Sequence, residues 1–396
     1  MRILTVTHNY PRFPGDPAGA FVARIAEGVA RSGHEIEVVA PHAPQTRLDE
    51  QLGGVRIRRF RYGPDPMERV AYSGSLHQNQ LLFSPVAALA FPGFLLGFGR
   101  AVKRAVDRFR PDIIHAHWWV PGGWFVRRWG VPYVVTCHGS DVRLLERADV
   151  VRAAAAGVFR RAASVTAVSN FLARDLARLL PGLDDKVLVT PMPVDTAAFE
   201  RGAATAKAVP PRILYAGNLV PSKGVDVLLR AVAILVERGA SCRLKILGQG
   251  PSETELKALA HQLGLDSVLT WSGFVSQSRM PAEYGASTVT VLPTRGNAEG
   301  LGLTLVEALL AGSAAVGTPA GGIPEVVRHE TTGLIARDGD PGDLADQIQR
   351  LLTDAALRER LTRAGKDLVL RTYSPDAAVN RFLDIYHAAA QHKPVR

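Results

Sequence analysis

The sequence is poor in cysteine. Only Cys137 and Cys242 occur among 396 residues, far apart and in no pairing pattern, so neither a disulfide framework nor a thiolate metal site is indicated. A reducing compartment, the cytoplasm, is the expected setting. Acidic residues are also in short supply, with 37 Asp or Glu against 47 Lys or Arg and a formal net charge of +10. Charged residues at 21% beside 47% apolar residues exclude a mainly disordered chain. The 37 Gly and 26 Pro follow no triplet period, which excludes a collagen-like one. No extended apolar core or small-residue cleavage site follows Met1-Arg2-Ile3-Leu4, so a signal peptide is not expected. Long hydrophobic runs are scarce. Leu81 to Gly99 is uncharged and, at about 1.5 Å per residue, long enough to span a bilayer. Pro85, Pro92, Gly93, Gly97 and Gly99 interrupt it, and a buried or membrane-surface helix is expected instead.

What is present from end to end is an alternation of short β-branched runs with amphipathic helical patterns, the signature of parallel sheets with crossover helices. A chain of this length should form two domains. In the first half, strands are expected at Ile3 to Thr7, Ile36 to Ala40, Val55 to Phe60, Asp112 to His115, Tyr133 to Cys137, Ser164 to Ala167 and Val187 to Thr190. Phe21, Val22, Ile25, Ala26 and Val29 repeat at helical spacing, and Ser169-Asn170 marks a helix start. After Pro191-Met192-Pro193 the pattern lapses as far as Pro210-Pro211, which reads as a linker. It restarts at Arg212-Ile213-Leu214, with further strands at Leu244 to Leu247, Val268 to Thr270, Thr288 to Leu292, Ala314 to Gly317 and Gly333 to Ile335. From Pro341 the pattern is almost wholly helical. The expected division is a first domain over 1–191, a linker over 192–211, a second domain over 212–373, and a helical tail over 374–396 returning toward the first domain.

Charge is divided unevenly. Residues 1–191 hold 25 Lys or Arg and 16 Asp or Glu, a balance of +9, whereas the remainder holds 22 against 21. Solvated surface charge is one explanation, and attraction to an anionic membrane surface is the other. Nucleic-acid binding is not expected, because no basic and aromatic binding module is visible.

The segment richest in chemistry is Asn297-Ala298-Glu299-Gly300-Leu301-Gly302-Leu303-Thr304-Leu305-Val306-Glu307-Ala308. It leaves an apolar strand through a glycine-bearing loop and enters a helix, the place where open α/β sheets bind ligands. Backbone N–H groups at Gly302, Leu303 and Thr304 would face an anion such as a diphosphate. Glu299 and Glu307 can edge the same pocket and accept hydrogen bonds from sugar hydroxyls. The bland alternative, acids that complement the helix dipole, suits Glu299 better than Glu307, which neighbours the apolar stripe.

Two glutamates eight positions apart around Gly-Leu-Gly-Leu closely resemble the motif of retaining glycosyltransferases of family 4, which have the two-domain GT-B fold. The resemblance extends to Gly217-Asn218-Leu219-Val220-Pro221-Ser222-Lys223-Gly224, Leu247-Gly248-Gln249-Gly250-Pro251, Gly273-Phe274-Val275 and Gly321-Gly322-Ile323-Pro324-Glu325-Val326-Val327. In the first half it includes Asp112-Ile113-Ile114-His115-Ala116-His117-Trp118 and Thr136-Cys137-His138-Gly139-Ser140-Asp141. It implies two facing Rossmann-like domains, a cleft between them and a helical C-terminal tail. It also implies that Lys223 holds the donor diphosphate, Glu307 the ribose, and Glu299 with adjacent backbone from Gly300 and Leu301 the transferred sugar. Val275 would meet the base through its main chain, His138 would lie beside the sugar, and the loop at Gly19 would approach the phosphate. Two positions depart from the family: Asn218 stands where Arg is usual, and Ala18-Gly19 where paired glycines are usual. Arg24, Arg143 and Arg295 are candidates to replace the missing charge.

Gly248-Gln249-Gly250 is half of a dinucleotide fingerprint, but its continuation is wrong, and a strand-to-helix turn with Pro251 at the first helical position is the better reading. His115, His117 and His138 have no Asp, Glu or Cys at zinc-site spacing, so buried polar or sugar-contacting roles are preferred and no metal or cofactor is expected. Trp118, Trp119, Trp124, Phe125 and Trp129 are expected to divide between core and an acceptor- or membrane-facing cluster. The reading is a retaining transferase that uses a nucleotide-diphosphate sugar donor and a glycan or lipid-linked acceptor, cytoplasmic or peripheral on the inner membrane face. The rivals are a non-catalytic sugar-nucleotide or glycan binding protein and a sugar-nucleotide epimerase on the same fold.

Overall fold

The computed structural model describes residues 1–68, 70–72 and 85–391. Two compact units share the chain: Met1–Pro193 together with the chain from Pro375, and Val194–Ser374.

In the first unit eight strands lie in the order β3-β4-β2-β1-β5-β6-β7-β8. They are β1 (Arg2–Val6), β2 (Glu35–Pro41), β3 (Asp49–Leu52), β4 (Val55–Phe60), β5 (Ile113–His117), β6 (Tyr133–Cys137), β7 (Ser164–Ala167) and β8 (Val187–Val189). All described pairings are parallel except β3 with β4. Central strands β5, β6 and β7 are buried along their whole length, and among their apolar residues lie the buried polar side chains of His115, His117, Thr136, Ser164 and Thr166. Strand β3 was not foreseen because Asp49-Glu50-Gln51-Leu52 is polar; it is an edge strand hinged on Gly53-Gly54, both at positive φ.

Ser169 caps the helix Asn170–Leu179 as expected, its hydroxyl accepting from the Leu172 N–H at 3.2 Å. The terminal helix Pro375–Ala390 packs on the helix Ala20–Arg31 and on β5 and β6. Burial of Phe382 in that contact stabilises the unit by about 1.5–3 kcal/mol.

The helix Pro85–Phe109 takes up most of the uncharged stretch, whose residues 81–84 lie outside the described residues. By length and composition it could cross a membrane, with a mean hydropathy of 1.5 over its most apolar window. One face, made of Ala87, Ala90, Phe94, Phe98, Val102 and Ala105, is buried, and the helix contacts β1, β2 and β4.

The second unit has six strands, all parallel, in the order β11-β10-β9-β12-β13-β14. They are β9 (Arg212–Ala216), β10 (Arg243–Leu247), β11 (Leu269–Trp271), β12 (Val289–Leu292), β13 (Ala314–Gly317) and β14 (Leu334–Ile335). The stretch expected to be a linker contains the helix Thr196–Gly202, capped by Asp195 and anchored by buried Phe199 against the helices Met280–Gly285 and Leu303–Leu310. One aromatic residue and one cap were enough to order a segment whose Ala, Thr and Gly content resembles a spacer. Pro251 also falls two positions before the first helical residue rather than on it, since Ser252 precedes the helix Glu253–Gln262.

Candidate donor site and the histidine cluster

In the second sheet the chain runs outward from β9 in both directions, so the order reverses between β9 and β12. Outside the carboxyl ends of these two strands the connecting loops diverge and leave a crevice. Lys223 comes from the loop after β9 and Glu299 from the loop after β12. Their side chains meet, Lys223 Nζ donating to Glu299 Oε2 at 2.6 Å, with both groups mostly shielded from solvent.

The helix Leu303–Leu310 starts beside this pair, and Gly302 enters it in the left-handed region at φ 88, a conformation costly for any residue with a Cβ. Among the described residues nothing accepts from the N–H groups of Gly302, Leu303 and Thr304. The Thr304 hydroxyl reaches back to the Ala216 carbonyl at 3.3 Å, tying the helix start to the end of β9. Gly322 N–H donates to the Glu299 carbonyl at 3.1 Å, so the turn after β13 holds the Glu299-Gly300-Leu301 backbone in place.

Glu307 lies one turn further along. It accepts from the Tyr284 hydroxyl at 3.1 Å and from Gln277 Nε2 at 3.4 Å. Tyr284 is fully buried, and burial together with the Glu307 charge drives its hydroxyl far above the ordinary range, so it stays a donor at any working pH. Val275 is half-buried on the loop after β11 and Gln277 follows it. Tyr284 and Gln277 escaped sequence reasoning; neither lies in a glycine-marked loop, and only packing brings them to Glu307.

Asn218 has an exposed side chain, and its carbonyl accepts from Tyr215 Oη at 2.8 Å. Of the cations that might replace an arginine there, Arg295 lies on the neighbouring loop, where Asp226 holds it at 2.6 Å. Arg24 and Arg143 belong to the first unit.

The first unit repeats the topology, with its switch between β1 and β5. Gly19 follows β1 at φ 67, and a Cβ there would sit 2.2 Å from the Asn9 carbonyl oxygen, so only glycine fits. Ala18 meets no such obstacle, and its N–H donates to Asp16 at 3.2 Å. Burial opposes the charge on Asp16, but bonds from the Arg12 side chain, the Arg12 N–H and the Ala18 N–H prevail and hold the carboxyl below its usual range.

His138 follows β6. Asp141, fully buried, accepts from the His138 and Gly139 N–H groups at 3.0 and 3.1 Å and so fixes the loop. Around the His138 ring stand Trp118 at 4.2 Å, Phe21 at 4.9 Å and His117 at 5.3 Å between centroids. Trp118 is held at φ 64, a strained value for an aromatic residue.

His117 Nδ1 lies 3.1 Å from His138 Nε2, while its own Nε2 is buried with no hydrogen-bond partner among the described residues. Burial, reinforced by His115, His138 and His8, pushes His117 far below the ordinary histidine range, so it is neutral. A buried N–H without an acceptor costs more than a bare lone pair. The proton therefore sits on Nδ1, and His117 donates to His138. His115, pushed down by burial to about 3, is satisfied on both nitrogens, by Tyr386 at 2.6 Å and Thr136 at 2.7 Å. These histidines are thus polar core and ring contacts. The one candidate metal cluster among the described residues is elsewhere, His42 with Asp65 and Glu68, where Asp65 already pairs with Arg61.

Comparison with known proteins agrees with this geometry. Residues 18–198 match the profile described as Glycosyltransferase Family 4, and residues 198–368 that of Glycosyl transferases group 1. The D-inositol 3-phosphate glycosyltransferase of Xylanimonas cellulosilytica is 30% identical over 96% of this chain and 94% of its own. The protein of the same name from Actinosynnema mirum is 32% identical over 88% and 87%. The chain belongs to glycosyltransferase family 4. Among solved structures, this glycosyltransferase is similar to sucrose-phosphate synthase from Thermosynechococcus elongatus, with a TM-score of 0.76, 20% identity and 98% of both chains covered. HepE from Anabaena, solved with UDP and glucose, aligns with a TM-score of 0.70 and 17% identity over 98% of this chain and all of its own. These likenesses establish the GT-B class for the glycosyltransferase and favour transfer over the binding-protein and epimerase rivals.

Proposed function

We propose that this glycosyltransferase moves a hexosyl or related sugar from a nucleotide-diphosphate sugar to an acceptor hydroxyl with retention of the anomeric configuration. The observation that carries the reading is the Lys223–Glu299 pair at 2.6 Å beside the N–H groups of Gly302, Leu303 and Thr304, which have no partner among the described residues. A cation and a helix amino terminus together suit a diphosphate, and the carboxylate suits sugar hydroxyls. Solved neighbours that hold UDP or a UDP-sugar support the donor class.

In the proposed mechanism the diphosphate takes Lys223 from Glu299 and leaves the carboxylate to accept from the sugar. Glu307, oriented by Tyr284 and Gln277, accepts from the ribose hydroxyls, and the Val275 main chain meets the base. As the anomeric carbon–oxygen bond breaks, negative charge grows on the departing phosphate, where Lys223 and the amides stabilise it without reorganising. The acceptor oxygen bonds to the anomeric carbon from the same face, and its proton passes to the departing phosphate oxygen. The acceptor is a glycan or a lipid-linked hydroxyl presented at the cytoplasmic face of an anionic membrane, in glycolipid or envelope polysaccharide synthesis.

A thermal-shift panel of UDP, GDP and ADP sugars, followed by turnover with the stabilising donor, tests the reading. The expected result is stabilisation by one donor and a product whose anomeric proton signal by NMR matches the donor's configuration. An inverted product, or no donor that stabilises the protein, would overturn it.

A further inference from the structure

We propose that the helix Pro85–Phe109 is a docking element for an anionic lipid bilayer. The inference rests on the reading of a membrane-presented acceptor for its purpose, and on the helix itself for its geometry.

One face of this helix is spent on the core, where Phe94 packs 5.2 Å from Tyr62 and Phe98 lies 5.5 Å from Phe125. The outward face of a helix on a globular protein is ordinarily polar. Here Val86, Leu89 and Leu96 are 41%, 72% and 59% exposed, and exposed Pro92 joins them. At about 3.6 residues per turn these four positions share one stripe about 120° wide, opposite the buried face. The same stripe continues into Arg100, Lys103 and Arg104, all exposed. Lys103 is paired with Asp107, whereas Arg100 and Arg104 have no ion-pair or hydrogen-bond partner among the described residues.

The stripe thus has an apolar part about 15 Å long followed by a cationic part about 6 Å long. That order matches a bilayer surface, with leucines entering the acyl boundary and arginines reaching headgroup phosphates. The +9 balance of residues 1–191 supplies the longer-range attraction. A second copy of the chain is a poorer occupant, because it would bring another unit with a +9 balance onto an already cationic surface.

Co-sedimentation of the full chain with vesicles of phosphatidylcholine alone, or with one third phosphatidylglycerol, tests the proposal. Wild type should pellet with the anionic vesicles about tenfold more than with neutral ones and be released by about 0.5 M salt, where screening shortens the attraction to a few ångströms. Arg100→Glu with Arg104→Glu should weaken binding about thirtyfold or more. Leu89→Asp with Leu96→Asp should weaken it at least as much, while Val150→Asp, a 75% exposed position on another helix, should leave it unchanged. Equal recovery with both vesicles, no recovery with either, binding by both double variants at the wild-type level, or a concentration-dependent dimer abolished by Leu89→Asp would each overturn it. Thermal shifts with the donor panel keep the two readings apart. Docking variants that lose vesicles but keep the donor shift speak to the helix alone, and a protein that binds vesicles but no donor indicts the proposed reaction.

Discussion

The two sheets of this glycosyltransferase reverse strand order at equivalent places, β1 against β5 and β9 against β12, yet the side chains gathered there differ in kind. At the β9/β12 edge stand a lysine, two glutamates and open helix amides. At the β1/β5 edge and on neighbouring β6 stand neutral histidines and the rings of Trp118 and Phe21, ordered by the buried carboxylate of Asp141. Topology supplies a crevice in both, and chemistry decides its use. On the proposed reading the charged edge takes a diphosphate, whereas the aromatic faces and neutral nitrogens of the ring-lined edge cost little to desolvate.

The sharpest way to break the comparison is to remove charge from the second edge. Lys223→Ala and Glu307→Ala should each lower turnover about a hundredfold or more, Lys223 acting on kcat through the leaving group. Wild-type steady-state rates in both variants would abolish the distinction between the edges.

At the first edge the expected effect is smaller. His117→Phe should lower kcat about tenfold, since it removes the ring nitrogen that lies 3.1 Å from His138 Nε2. His117→Asn, whose amide N–H replaces Nδ1–H, should recover most of the loss. Equal losses in both variants would mean that His117 serves packing alone.

Neutrality of the first edge also has a thermodynamic signature. His115 titrates near 3 when folded and near 6.5 when unfolded, so between those values the unfolded chain binds the extra proton. Stability from this group is fully present above about pH 6.5 and is lost as pH falls toward 3. Calorimetric Tm should fall by several degrees between about pH 7 and 5, more steeply than carboxylate titration alone requires. A flat profile over that interval would show that the histidines are not held neutral.

The smallest expected effect is a gain. Asn218→Arg restores the family's usual charge beside the Lys223 loop and should tighten donor binding by about 1 to 2 kcal/mol. The exposed side chain of Asn218 leaves room for it, while Arg295 is occupied by Asp226. Calorimetry that shows unchanged affinity would place position 218 away from the diphosphate.

How far the sequence could be read depended on the kind of interaction. Buried parallel strands read as short runs rich in apolar and β-branched residues and crossover helices as a regular stripe, so both sheets, apart from polar edge strand β3, were legible from local pattern. The placement of Glu299, Gly302 and Glu307 around a helix start was legible too, because a glycine loop between an apolar strand and a helical stripe is a local pattern. Other features came from tertiary packing alone. The helix Thr196–Gly202 was hidden in a spacer-like composition until Phe199 found its neighbours. Tyr284 meets Glu307 from 23 positions away, and His117 meets His138 across 21. The proton on His117 Nδ1 follows from a burial that no spacing encodes. The exposed row of Val86, Leu89 and Leu96 could not be told from core by composition, because an apolar residue reads the same in sequence whether the fold turns it inward or leaves it facing out.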